Sequence, residues 1–173
     1  MNKIVFLCLA LTVNGLGGTT VDHKKFMQMA IDKVREAIAD TAFGACIVKD
    51  GQVISCEHNV VWETTDVTAH AEIHAIRSAC KKLGTIDLSG CVMYTTCEPC
   101  PMCFAACHWA GIETIIYGAD IADAQQAGFN ELTISAETMK ELGASKVEVV
   151  KDFMKKECAQ LFQDWKEAGG KSY

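Results

Sequence analysis

The chain has 173 residues, 50% of them hydrophobic and 22% charged, which fits one folded domain with a substantial core and excludes a low-complexity protein. A formal net charge of −6 argues against a broad electrostatic grip on a polyanion, although a local basic groove stays open. Its 10 cysteines would suggest disulfides in a short secreted protein, but their clustering around residues 97–107 favours metal chemistry.

Residues 1–20 differ from the rest. Lys3 precedes an apolar run from Ile4 to Val13, followed by Asn14-Gly15-Leu16-Gly17-Gly18. These are the parts of a secretory signal, and the run is too short to span a bilayer. The rival reading is an extra strand or an extended leader on a cytosolic protein. Residues 1–20 are therefore set apart as a leader, and residues 21–173 as one domain.

From Asp22 the pattern is helical, with Phe26, Met29, Ala30, Val34, Ala37 and Ile38 on one stripe. Gly44 to Val48 reads as a buried strand, Asp50-Gly51 as a hairpin turn and Val53 to His58 as the returning strand. A polar loop with one aromatic, Trp62, runs from Asn59 to Val67. Thr68 is placed to cap a helix carrying His70, Glu72, Ile76, Ala79 and Leu83. Cys91 to Thr95 is a third strand, Cys100 to Ala110 a helix and Glu113 to Gly118 a fourth strand. Ile121 to Ala127 is a short helix, Lys146 to Val150 a weak fifth strand and Asp152 to Ala168 a closing amphipathic helix. This order predicts a three-layer α/β/α domain on a mixed five-stranded sheet, with the third and fourth strands parallel across a helical crossover.

The chemistry concentrates in two short stretches, His70-Ala71-Glu72 and Cys97-Glu98-Pro99-Cys100-Pro101-Met102-Cys103. Cysteines three apart lie on one face of a helical turn, and a thiol at a helix start feels the positive end of the macrodipole, which favours the thiolate. Two thiolates and one imidazole would hold Zn²⁺ and leave a fourth position open, the arrangement of a catalytic site. Cys97/Cys100 has the same spacing as Cys100/Cys103, so spacing alone does not choose between them. A lone C-x-x-C is often a redox pair, and a lone H-x-E is usually a helix surface. H-x-E followed by P-C-x-x-C is far more specific, being the signature of zinc-dependent nucleobase deaminases, and it selects His70, Cys100 and Cys103 as ligands with Glu72 as the proton carrier. Residues two apart in a regular helix point to nearly opposite sides, so His70 and Glu72 must share an irregular first turn.

On these motifs, with Phe43-Gly44-Ala45, Ala127-Gly128-Phe129, the Phe162-Gln163-Asp164-Trp165 stretch and the terminal tyrosine, the chain resembles the cytidine deaminase-like superfamily, and within it the bacterial guanine deaminases. The resemblance covers about residues 24–173. It implies one zinc per chain on His70, Cys100 and Cys103, with Glu72 catalytic. It also implies a free purine base as substrate, a homodimer and a cytoplasmic location, with the signal-like leader leaving export open. Asn59 would hydrogen-bond the purine edge, Ala71 would contact the substrate, and Phe43 and Trp109 would wall the ring. Glu131 would face the N–H donors of guanine, and Tyr173 would close the pocket. Ala42 stands where the family often has proline.

Plainer readings stand beside these. Trp109 lies on an alanine-rich helix and fits a core residue, Phe43 fits strand packing, and Glu131 fits a loop acid. Chain termini such as Tyr173 are commonly frayed. His74 shares a face with His70 and is read as packing around the site, while Cys97, Cys107 and His108 are left outside the ligand set. A tRNA adenosine deaminase, a deaminase of another base, nucleoside or aminotriazine, and a non-catalytic zinc-stabilised module are the alternative functions. Glu72 argues against the last.

Overall fold

The computed structural model describes residues 21–173, so the leader lies outside the described residues. Helix α1 (His23–Glu36) starts on Asp22, whose side chain accepts from Lys25 N–H, and buries Phe26, Met27, Ala30, Ile31 and Val34. Strands β1 (Gly44–Lys49) and β2 (Gln52–His58) form an antiparallel hairpin. Its turn has positive φ at both Asp50 and Gly51, the conformation that suits the twist of a two-residue hairpin. After the one-turn α2 (Val61–Thr64) come α3 (Ala71–Leu83), β3 (Cys91–Cys97), α4 (Pro101–Ala110) and β4 (Thr114–Ala119). The chain ends through α5 (Ile121–Ala127), α6 (Ala136–Leu142), β5 (Glu148–Val150) and α7 (Lys155–Glu167).

The sheet order is β2-β1-β3-β4-β5, with β1 antiparallel to both neighbours and β3, β4 and β5 parallel. This is the expected mixed five-stranded sheet. Helices α1 and α7 pack together on one face, and α3 packs on the other beside α4. Covered on both sides, β1 and β3 are buried almost throughout, as strands between two helical layers must be. Close approach of α1 to the sheet depends on Gly44, where a Cβ would lie 2.5 Å from Ala30 O and 2.7 Å from Val34 Cγ2.

Three local expectations are corrected, and one helix and one disulfide are added. The cap of α3 is His70, while Thr68 bonds Asp66 through both its N–H and its hydroxyl. Helix α2 occupies a stretch read as loop, and α6 one to which the sequence assigned no element; α6 has a side-chain cap, Ser135 Oγ accepting from Thr138 N–H. Cys56 faces Cys46 across the hairpin, Cα atoms 4.0 Å apart, in a disulfide that follows from strand register. Helix α7 begins at Lys155, after Met154 adopts a left-handed conformation. Among the described residues no helix is long and apolar enough to cross a membrane.

Candidate active site

The site forms where β3 ends, between its antiparallel neighbour β1 and its parallel neighbour β4. In open α/β sheets a change of this kind opens a crevice at the carboxyl ends of the strands. Two helices begin there. His70 is the N-cap of α3, with φ −61° and ψ 158°, and Cys100 is the N-cap of α4, with φ −61° and ψ 166°. Both are extended, which frees their side chains from helical directions. Glu72 therefore sits in the first turn of α3 beside His70, the irregular placement that the H-x-E spacing demands. Pro101 opens α4 at a position where its missing N–H costs little.

The Nδ1 atom of His70 lies 3.7 Å from Cys100 Sγ and 3.6 Å from Cys103 Sγ, and all three donor atoms fall within 4.8 Å of one another. Cys97 is turned elsewhere, its Sγ 3.6 Å from the carbonyl oxygen of Asp120. The geometry thus separates two cysteine pairs that spacing could not. His74 points away from the cluster, with Nδ1 3.1 Å from the carbonyl of His58 and Nε2 3.8 Å from Glu57. His108 is exposed and pairs with Ser145 Oγ at 2.9 Å, and Cys107 is buried in the core.

Charge is arranged around the same point. The Cys103 thiol donates toward Cys100 and, with His70 nearby, holds Cys100 down to about 4 against the effect of burial. In its role as donor, and buried, Cys103 is pushed well above its ordinary value. Burial, reinforced by the negative charge of Cys100, pushes the Glu72 carboxyl up to about 7. Glu131 is raised for the same two reasons, which places it in the field of the cluster.

Phe43, His70, Glu72, Cys97, Glu98, Cys100 and Glu131 line one narrow cavity. Asn59 does not line it but joins the site through Tyr173, and its amide orientation is set by the backbone. Its Oδ1 accepts from Val61 N–H at 3.0 Å, so only its NH₂ is left to donate, here to the Tyr173 hydroxyl. The Tyr173 ring lies 5.8 Å from both the His70 and Phe129 rings, and Phe129 packs edge-on against Phe43 at 4.7 Å. The terminal residue is therefore held over the site of its own chain. Ala71 is fully buried at the first helical position of α3, where a backbone N–H has no partner within the helix.

Trp109 is not brought to this site. It is 81% exposed at the far end of α4, whose buried face carries Cys103, Phe104, Cys107 and Ala110. At 100° per residue position 109 falls away from that stripe, so Trp109 is neither core nor a wall of this chain's cavity. Sequence reasoning gave no role to two residues that the structure does employ. Glu98 was visible only as part of the cysteine motif. Trp62, an isolated aromatic in a polar stretch, receives the tail: its Nε1 donates to Lys171 O at 3.0 Å, and Lys171 Nζ lies 4.4 Å from its ring centre.

The cytidine and deoxycytidylate deaminase zinc-binding region matches residues 20–119 of the chain. The chain belongs to this deaminase family. Guanine deaminase from Bacillus subtilis is 43% identical over 123 residues, 69% of this chain and 79% of the relative. A tRNA-specific adenosine deaminase from Aquifex aeolicus is 44% identical over 96 residues, 54% of this chain and 64% of the relative. Among solved structures, guanine deaminase from Nitrosomonas europaea superposes with a TM-score of 0.79 at 28% identity, covering 87% of each chain. Zinc is the metal of this deaminase family, and the donor set fits it: one imidazole nitrogen and two sulfurs, converging from two helix starts, leave a tetrahedral ion one open position.

Proposed function

We propose that the protein is a zinc-dependent hydrolytic deaminase of a free purine base, converting guanine and water to xanthine and ammonia, and that it acts as a cytoplasmic homodimer. The observation that carries the choice of base is the opposed polarity of two side chains about the site: the Asn59 NH₂ donates, here to Tyr173, and Glu131, which lines the cavity, accepts. Guanine offers a carbonyl and N7 on one edge and N–H donors on the other, matching both. Adenine carries an amino group where guanine has the carbonyl, so it would set a donor against the Asn59 NH₂.

Bound zinc supplies a Lewis acid that makes water nucleophilic near neutral pH. His70, Cys100 and Cys103 would hold it. Glu72 takes one proton from the attacking water and gives it to the ring nitrogen, then carries the remaining hydroxyl proton to the amine as the C–N bond breaks. Phe43 packs on the base, Ala71 offers a backbone N–H, and Asn59 and Glu131 orient the ring so that C2 faces the attacking oxygen. Tyr173 then excludes bulk water. In this reading Trp109 has no place in the site of its own chain.

Similarity to tRNA adenosine deaminases at comparable identity supports a second reading, adenosine within an anticodon loop. The two separate in one experiment, ammonia release from guanine, adenine, cytosine and an anticodon stem-loop by zinc-loaded protein. A site built to hydrogen-bond donors and acceptors rejects a mismatched analogue by about 10⁴. Guanine is therefore expected to lead the other three substrates by a wide margin. Faster turnover of the stem-loop would establish the second reading instead.

A further inference from the structure

Glu131 belongs to a stretch with little packing of its own. Between α5 and α6, Asn130, Leu132, Thr133 and Ile134 are all exposed, and of the stretch 130–134 only the Glu131 side chain lines the cavity. Something must hold the segment, or its one inward carboxylate would not keep a fixed distance from the site. Phe129 anchors one end in the aromatic cluster, and Gln125 Nε2 donates to Glu131 O at 3.2 Å, an exposed contact.

The stronger hold comes from beneath. Glu98 is 8% exposed, follows β3 directly and uses its two oxygens separately. Oε2 accepts from Ile121 N–H, the first residue of α5, at 3.2 Å, and Oε1 accepts from Ala136 N–H, the first residue of α6, at 2.8 Å. One carboxylate thus ties together the starts of both helices that flank the Glu131 segment, and it does so two residues from the Cys100 ligand. The backbone N–H of Glu98 itself bonds Ala119 O at 2.8 Å, fixing the bridge to the end of β4.

We propose that Glu98 is a positioning residue for the reaction: its carboxylate bridges the first N–H groups of α5 and α6 and so sets the place of Glu131 relative to the metal ligands. The role rests on the reading of Glu131 as a substrate acceptor. Glu98 borders the cavity, but both its carboxylate oxygens are taken by the two helix N–H groups, so in this role it acts through Glu131. Buried hydrogen bonds to a charged group contribute more than neutral ones, and replacing an acceptor oxygen by an NH₂ sets two donors against each other.

The test uses zinc-loaded full-length Glu98→Gln, with Ala136→Pro as an independent variant. Proline suits the first position of a helix, and Ser135 before it already has ψ 157°, so this change removes one donor and leaves Glu98 intact. Both variants are expected to keep one zinc per chain and to show faster amide hydrogen exchange across residues 129–135. On guanine, kcat/KM is expected to fall about 10-fold or more, chiefly through KM. Adding Glu98→Gln to Glu131→Gln should cost little further. Unchanged exchange in both variants, or penalties from Glu98→Gln and Glu131→Gln that simply add, would overturn the role. If the wild type fails on guanine, the choice of base falls, and the exchange comparison still decides whether Glu98 holds the segment.

Discussion

At the scale of single residues, the arrangement turns on which sulfurs face His70. Cys100→Ala removes a ligand and should lose zinc together with thermal stability, because metal binding and folding are linked. Cys97→Ala should keep its zinc, since that thiol faces the Asp120 carbonyl. Metal analysis of the two purified variants checks this, and equal loss in both would mean the wrong pair. The uneven ionisation of the thiols adds a second expectation. At pH 7 Cys100 is already thiolate, while Cys103 keeps its proton and must give it up to bind zinc. Apparent zinc affinity should therefore rise with pH, about tenfold per unit for each proton released. Calorimetry in buffers of different ionisation enthalpy measures that release, and zero protons would contradict it.

At the scale of elements, the two helix starts and the C-terminal tail work against each other. The N-caps of α3 and α4 converge to build the centre, and the tail covers it. With Tyr173 in place the cavity has room for about one water molecule. A purine needs more room than that, so the tail is expected to move aside as the base enters. The tail's polar hold is one indole hydrogen bond, one exposed cation–π contact at Trp62 and the Asn59 bond, beside the Tyr173 ring packing on His70 and Phe129, with the two Trp62 contacts together contributing about 1–2 kcal/mol. Gly170 lets the tail cross the Trp165 indole, where a Cβ would overlap the ring. Trp62→Ala and Gly170→Ala should both loosen closure, raising KM several-fold with zinc content unchanged. Steady-state kinetics with metal analysis checks this. An unchanged KM in both variants would show that the tail does not gate the site.

At the scale of the whole molecule, the mixed sheet, its parallel third and fourth strands and the ligand set were legible because each rests on a local signal. A buried apolar run and Asp50-Gly51 mark the hairpin, and two motifs mark the metal ligands. The rest depends on three-dimensional placement. The Cys46–Cys56 bridge follows from register, the exposure of Trp109 from helical phase, and the part played by Glu98 from two helices far along the chain. Helix α6 escaped notice because one Ser135 cap is its main local mark. The polarity of Asn59 was invisible too, since it depends on a bond to Val61. The central claim joins these scales: a zinc deaminase in which Glu72 carries the proton and guanine is the base. Its most direct measurement is xanthine formation from guanine by zinc-loaded wild type and Glu72→Gln, with zinc content determined on the same samples. The wild type should produce xanthine and ammonia in equal amounts, while Glu72→Gln keeps its zinc and loses about 10²–10⁴-fold in turnover. Near wild-type turnover in Glu72→Gln, or no xanthine from zinc-loaded wild type, would contradict the account.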